Sequence, residues 1–145
     1  MRIWHYKLLP YLPDLQFKGQ LRELVAIMRA WRDNGTTNHL LINRVMDYEK
    51  AELTRYFIEY EVQYHQRYGK WLDIYSAEFL NFAKEEPEKK KYYSDGWHDD
   101  EYLKICMANL YEKHEKAKGK TQISQKEWQR VLEGYKTITG EYWKI

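Results

Sequence analysis

A chain of 145 residues, 43% of them apolar or aromatic, is long enough to bury a hydrophobic core, and this composition excludes a wholly disordered protein. The longest apolar runs, such as residues 24–28, fall far short of the ~20 residues that cross a bilayer, and Pro10 and Pro13 leave no signal-peptide segment. Cys106 is the single cysteine, so no internal disulfide can form. We therefore expect a soluble, cytoplasmic protein that forms one domain over residues 1–145.

The net charge of +2 is too small to indicate a nucleic-acid-binding protein by itself, but the charge is unevenly distributed. Residues 1–46 contain seven basic and three acidic residues, a net charge of +4, so the rest of the chain sums to −2. The N-terminal third is therefore the part of the chain better suited to an anionic partner.

The first predicted elements are an extended arm and a long helix. Residues 1–13 are predicted to form the arm, because Pro10 and Pro13 disfavour helix in the residues before them. Asp14 can cap a helix that ends near Asn34, with Gly35 as its stop. The apolar residues of this segment recur at helical spacing and predict one buried stripe: Phe17, Leu21, Leu24, Val25, Met28 and Trp31.

The charged residues of this first helix separate onto the two sides of the stripe. At about 100° per residue, Lys18, Arg22 and Arg29 align on one flank, whereas Glu23 lies on the opposite flank. The helix is therefore predicted to present a basic edge and an acidic edge beside its buried face.

The remainder of the chain also shows helical rather than alternating spacing. We predict a short helix over residues 38–46 and longer ones over 47–68, 71–83, 99–116 and 124–134, with residues 84–97 as an exposed loop. Gly69 and Gly134 are predicted stops, and Ser124 with Glu127 predicts a capping box. The fold expected from these patterns is all-α, a single compact domain of about five helices with an extended N-terminal arm.

Four segments of the chain resemble the pyrimidine-dimer DNA glycosylase/AP lyase (endonuclease V) family. The pair Arg22-Glu23 stands about twenty positions from the start, as the family's Arg-Glu pair does. The similarity is good over residues 1–48 and fair over 97–114, and it rests on the following segments: MRIWH, DLQFKGQLREL, GTTNHLLINRVMDY and WHDDEYLKICMANLYEKH.

This resemblance implies a base-excision repair enzyme whose partner is damaged double-stranded DNA. In the family, the N-terminal α-amine attacks the sugar C1′ and forms an imine, and the glutamate of the Arg-Glu pair assists the proton transfers and the β-elimination that nicks the backbone. An α-amine with a pKa of about 7.7–8 is partly neutral, and therefore nucleophilic, at pH 7. The resemblance implies that Glu23 is catalytic and that neither a metal nor an organic cofactor is required.

The other site residues follow from matching positions in the family. A bulky residue at position 2 normally blocks removal of the initiator methionine, so the α-amine of Met1 is the expected nucleophile. Arg2 and Arg22 match family arginines and are expected to hold DNA phosphates while a nucleotide is flipped. Ala26 stands where the family has a further arginine, and Arg29, one turn later, is the expected substitute.

Some residues have a second interpretation. His39 lies in a matching segment and is expected in the DNA-binding cleft, although a capping or packing role is the alternative. A metal-dependent nuclease would use His98, Asp99 and Asp100, but polar residues at a helix start usually cap it, and the histidine spacing predicts no metal site. A further alternative is a non-catalytic helical domain that binds DNA or a protein through its basic edge.

Overall fold

The fold is known from a computed structural model that describes residues 2–36, 42–84, 92–115 and 123–144. The described residues form helices and contain no β-strand, which confirms the all-α prediction. In these ranges the α-helices are α1 (Asp14–Asn34), α2 (Lys50–Tyr68), α3 (Asp73–Ala83), α4 (Asp100–Glu115) and α5 (Gln125–Thr139). The 3₁₀ helices of the same ranges are Tyr6–Tyr11, Ile42–Asp47 and Tyr93–Asp95. Within these ranges, no helix combines the length and the apolar character that a membrane span requires.

Most helix ends follow the signals in the sequence. The backbone of Gly69 is left-handed, with φ of 71°, and its N–H donates to the carbonyl of His65 at the end of α2. The predicted capping box at the start of α5 is confirmed, because Ser124 and Glu127 each bond the other's backbone N–H. Glycine adopts the left-handed backbone without a clash of a Cβ atom, and a serine hydroxyl accepts a backbone N–H that the helix leaves free. Such helix ends can therefore be predicted from the sequence.

The predicted end of the last helix was wrong. Helix α5 continues through Gly134 to Thr139, and Gly140 ends it with φ of 78°. Gly134 is instead buried, and a Cβ added to it would overlap the ring of Tyr11. Glycine is needed here because the Tyr11 ring comes too close for a Cβ atom. The local sequence does not show whether a glycine serves such a close contact or ends a helix.

The segments outside the long helices also differ in detail from the predictions. The predicted arm contains the 3₁₀ helix Tyr6–Tyr11, where the fixed φ of Pro10 is tolerated and the His5 side chain accepts a bond from the N–H of Lys7. Helix α2 begins at Lys50 with Glu49 as its N-cap, whereas the predicted cap was Asp47, two residues earlier. Of the predicted short helix over 38–46, residues 42–46 lie in a 3₁₀ helix and the earlier ones lie outside the described residues.

The chain divides into two compact units, of which the first comprises Met1–Ile3 and Gln20–Gly96. Its core includes the apolar side of α2 against α3, where the rings of Phe57 and Phe79 stack with centroids 4.3 Å apart. The N-terminus of α3 is satisfied by α2, because the Glu61 carboxylate accepts the N–H of Leu72 at 2.8 Å. Helix α1 contributes fully buried side chains such as Leu24 to this unit.

The second unit comprises Trp4–Gly19 and Trp97–Ile145. Here the 3₁₀ helix Tyr6–Tyr11 packs against α5, and Arg130 donates to the carbonyl of Pro10 at 2.6 Å. Buried His5 stacks on His98 with ring centroids 5.1 Å apart. The single domain over residues 1–145 stays a prediction.

Candidate active site

The beginning of the described chain lies against the predicted catalytic acid. The backbone N–H of Arg2 donates to Glu23 Oε2 at 3.0 Å. Glu23 is half-buried on α1, one turn after Gln20, and the two side chains share a face of the helix because residues three apart are neighbours. The arm and the helix thus bring residues 2 and 23 together, as the sequence interpretation requires.

The two oxygens of Glu23 have different surroundings. Oε2 accepts the Arg2 N–H and also the side-chain amide of Gln20, at 3.3 Å. No described residue donates a hydrogen bond to Oε1. A carboxylate held through one oxygen keeps lone pairs on the other, which is the arrangement that a group exchanging protons with a substrate needs.

Gln20 connects this carboxylate to the backbone of the arm. Its side chain is fully buried, and its Nε2 donates to the carbonyl of Arg2 at 2.7 Å. Its Oε1 accepts the hydroxyl of Tyr56, on α2, at 3.1 Å. Both polar groups of the Arg2 backbone are therefore bonded to α1 side chains, the N–H to Glu23 and the carbonyl to Gln20.

The predicted phosphate-binding arginines have contrasting surroundings. Arg22 is exposed on α1, and no described residue forms an ion pair with it. Arg29 instead makes two hydrogen bonds of 2.9 Å to the carboxylate of Glu78, on α3, and Arg32 adds a third bond of 2.9 Å. These bonds from Arg29 and Arg32 lower the pKa of Glu78. The charge of Arg29 is thus already compensated within the protein, whereas that of Arg22 faces solvent.

Two of the predicted site residues, Met1 and His39, lie outside the described residues. Their expected roles, and the DNA contacts expected of the three arginines, stay predictions.

The alternative metal-site residues have a structural use. Asp99 precedes α4 and its Oδ1 accepts the N–H of Tyr102 at 2.8 Å, which is a helix-capping contact. His98 is buried, and its Nδ1 accepts the N–H of Tyr6 at 3.0 Å, whereas Asp100 is exposed. Across the described part of the chain, no three His, Cys, Asp or Glu side chains are grouped so as to hold a metal ion.

The sequence analysis missed Gln20 and Tyr56. A signal for Gln20 is present, because it is a polar residue at an apolar position, three after Phe17 and four before Leu24. A buried amide needs hydrogen-bond partners, so this position predicts a polar contact inside the protein. Nothing in the local sequence indicates that the partners are Tyr56 and the Arg2 backbone.

The chain was compared with known protein families, with curated proteins and with solved structures. Residues 1–68 match the family described as pyrimidine dimer DNA glycosylase, which confirms the resemblance over that part of the chain. The comparisons with curated proteins and with solved structures gave no match. The matched residues include Arg2, Gln20, Arg22, Glu23 and Tyr56.

Proposed function

Because residues 1–68 match the pyrimidine dimer DNA glycosylase family, we propose that this protein is a DNA glycosylase and AP lyase that acts on pyrimidine dimers or a related base lesion in double-stranded DNA. The observation that carries the proposal is the 3.0 Å hydrogen bond from the Arg2 N–H to Glu23. Met1 is joined to Arg2 by a single peptide bond, so this contact supports a reaction in which the α-amine of Met1 acts together with Glu23. The reaction needs an amine and an acid close to each other.

In the proposed reaction, the neutral α-amine of Met1 attacks C1′ of the damaged nucleotide. The bond from C1′ to the base breaks and the base takes up a proton, although in a dimer it stays joined to the neighbouring base. Opening of the sugar, with a proton passing from the amine to O4′, gives a protonated imine. Removal of a proton from C2′ then breaks the bond from C3′ to oxygen, so the phosphate leaves with the downstream strand, and water finally hydrolyses the imine and frees the amine. Glu23 donates and accepts the protons of these steps, and its negative charge stabilises the cationic imine.

The positive charge that this chemistry requires is proposed to come from arginines near the acid. Arg22 is adjacent to Glu23 and exposed, so it can contact a phosphate at little desolvation cost. Arg2 follows the proposed nucleophile directly and is the second proposed phosphate contact. Arg29 is a weaker candidate than the sequence indicated, because Glu78 holds its guanidinium at two positions.

Borohydride trapping tests the proposal directly. The protein is incubated with a duplex that contains one cyclobutane pyrimidine dimer or one abasic site, with borohydride and with EDTA. We expect a covalent protein–DNA adduct in both cases, since imine chemistry is indifferent to chelation. Glu23→Gln should lose strand cleavage, whereas Glu59→Gln, a half-buried glutamate on α2, should retain it.

The nucleophile is tested by blocking the α-amine. Acetylation of Met1, or an N-terminal tag, should abolish the adduct, and proteolytic removal of an upstream tag to expose Met1 should restore it. Undiminished trapping by the blocked protein would assign the nucleophile to a lysine. DNA retention that weakens with salt but gives no adduct would support the non-catalytic binding domain instead.

A further inference from the structure

The hydrogen bonds of the Gln20 amide to the Arg2 carbonyl and to Glu23 Oε2 are here called the Gln20 bridge. The bridge is internal, because Gln20 has 0% of its side chain exposed and Tyr56, which bonds its other end, has 2%. Burying an amide without partners is costly, and here the amide oxygen and the amide nitrogen are both used.

The chemistry of the partners fixes the orientation of this amide. A backbone carbonyl and a carboxylate only accept hydrogen bonds, so the group that faces Arg2 and Glu23 must be the NH₂ of Gln20. Its oxygen then faces Tyr56, whose hydroxyl must donate. The Arg2 carbonyl and the Glu23 carboxylate exclude the flipped amide, in which an oxygen would face two other oxygens, and the Tyr56 hydroxyl satisfies the amide oxygen in the orientation that remains.

The residue that the bridge holds directly follows the proposed nucleophile. The first residues of a chain fray unless they are tied down, and freedom of a reacting amine lowers the fraction of time that it is aligned for attack. The bridge bonds the Arg2 carbonyl, while Glu23 bonds the Arg2 N–H, so both polar atoms of the backbone at position 2 are held.

We infer that Gln20 is a positioning residue, with its amide oxygen held by Tyr56, that keeps the Arg2 backbone and the Glu23 carboxylate in a fixed relation during the proposed imine-forming reaction. The inference rests on the proposed function. Gln20 touches neither the lesion nor the amine in this scheme, and it acts through Glu23 and Arg2. Its removal should therefore slow the chemical step and leave binding of the DNA unchanged.

The test measures single-turnover adduct formation on abasic duplex, at saturating protein, for three variants. Gln20→Met keeps the length of the side chain without its hydrogen bonds. If the reacting groups are then misplaced by about 1 Å, the rate should fall on the order of 100-fold. Gln20→Glu keeps both length and volume but presents an oxygen to Glu23, so it should be at least as slow. Tyr56→Phe removes only the orienting hydroxyl and should lose about tenfold.

A double-mutant cycle for Gln20 and Tyr56 distinguishes the proposed positioning role from a purely structural role of either residue. If Tyr56 acts through Gln20, Tyr56→Phe should cause no further loss in a protein that already carries Gln20→Met. Gln16→Met, one turn earlier on α1, and Tyr75→Phe, at a half-buried tyrosine on α3, are the controls and should react at the wild-type rate. Hydrogen exchange at the Arg2 amide should accelerate in Gln20→Met and remain slow in both controls.

The possible results separate the inference from the function beneath it. No adduct with the wild-type protein would overturn the proposed function and the role of Gln20 with it. An adduct formed equally fast by wild type, Gln20→Met and Tyr56→Phe would overturn the inference alone. The inference also fails if weaker DNA binding accounts for the whole loss of rate. It fails as well if Gln20→Met is unfolded and Tyr56→Phe, which keeps the packing, reacts at the wild-type rate.

Discussion

Acidification is expected to destabilise the protein through one buried histidine. His5 has 2% of its side chain exposed, and its Nδ1 accepts the N–H of Lys7 at 3.2 Å. Burial, assisted by the charge of Lys7, lowers the pKa of His5 from 6.5 to about 4, against the opposing effect of hydrogen bonds to the backbone of His98 and Asp99. The folded protein therefore keeps this ring neutral at a pH where the unfolded chain protonates it.

The sign and size of the effect follow from these two pKa values. Between about pH 6.5 and pH 4 the unfolded state binds a proton that the folded state does not, so the free energy of unfolding falls as the pH is lowered. A shift of two and a half units corresponds to about 3.4 kcal/mol in total, of which about 2 kcal/mol is lost between pH 7 and pH 5. Above pH 7 the contribution of His5 is constant.

Urea unfolding of wild type and His5→Asn at several pH values isolates this effect. Asparagine places an oxygen near the position of Nδ1 and can accept the Lys7 N–H, but it does not titrate. The lost ring lowers the stability of the variant by a similar amount at every pH, and carboxylates titrate in both proteins. The difference in unfolding free energy between the two proteins should shrink by about 2 kcal/mol from pH 7 to pH 5. A difference that stays constant over this range would refute the argument.

Two further predictions concern the proposed phosphate contacts of α1 and the last helix. In salt-dependent DNA binding, Arg22→Ala should weaken affinity and reduce the salt slope by about one, whereas Arg29→Ala should change both less, because Glu78 already compensates Arg29; equal losses would contradict this. In thermal unfolding, Ser124→Ala should cost about 1 kcal/mol through loss of the α5 cap, and Ser94→Ala should leave the midpoint unchanged.

The sequence predicted the helices well because their signals are local. The apolar stripe of α1 and the glycine at position 69 determine a buried face and a helix end within a few residues. Gly134 was misread because glycine serves both helix ends and close packing, and only the position of the Tyr11 ring distinguishes the two uses.

The site was predictable to a smaller extent. Family resemblance indicated Glu23, and the arm was long enough to return to it, but the geometry depends on contacts between distant parts of the chain. The bond from Tyr56 to Gln20 spans 36 positions, and the pairing of Arg29 with Glu78 spans 49. Helical spacing says which face a residue occupies, but it does not say which side chain of another helix meets it.

The contacts of Arg2 with Glu23 and Gln20 are made by main-chain atoms, which has a consequence for how position 2 tolerates change. Nineteen of the twenty amino acids present the same N–H and carbonyl, and proline alone lacks the donor. Exchange of Arg2 for another bulky residue would therefore leave both backbone bonds in place, so the anchoring of this backbone does not depend on the charge of its side chain.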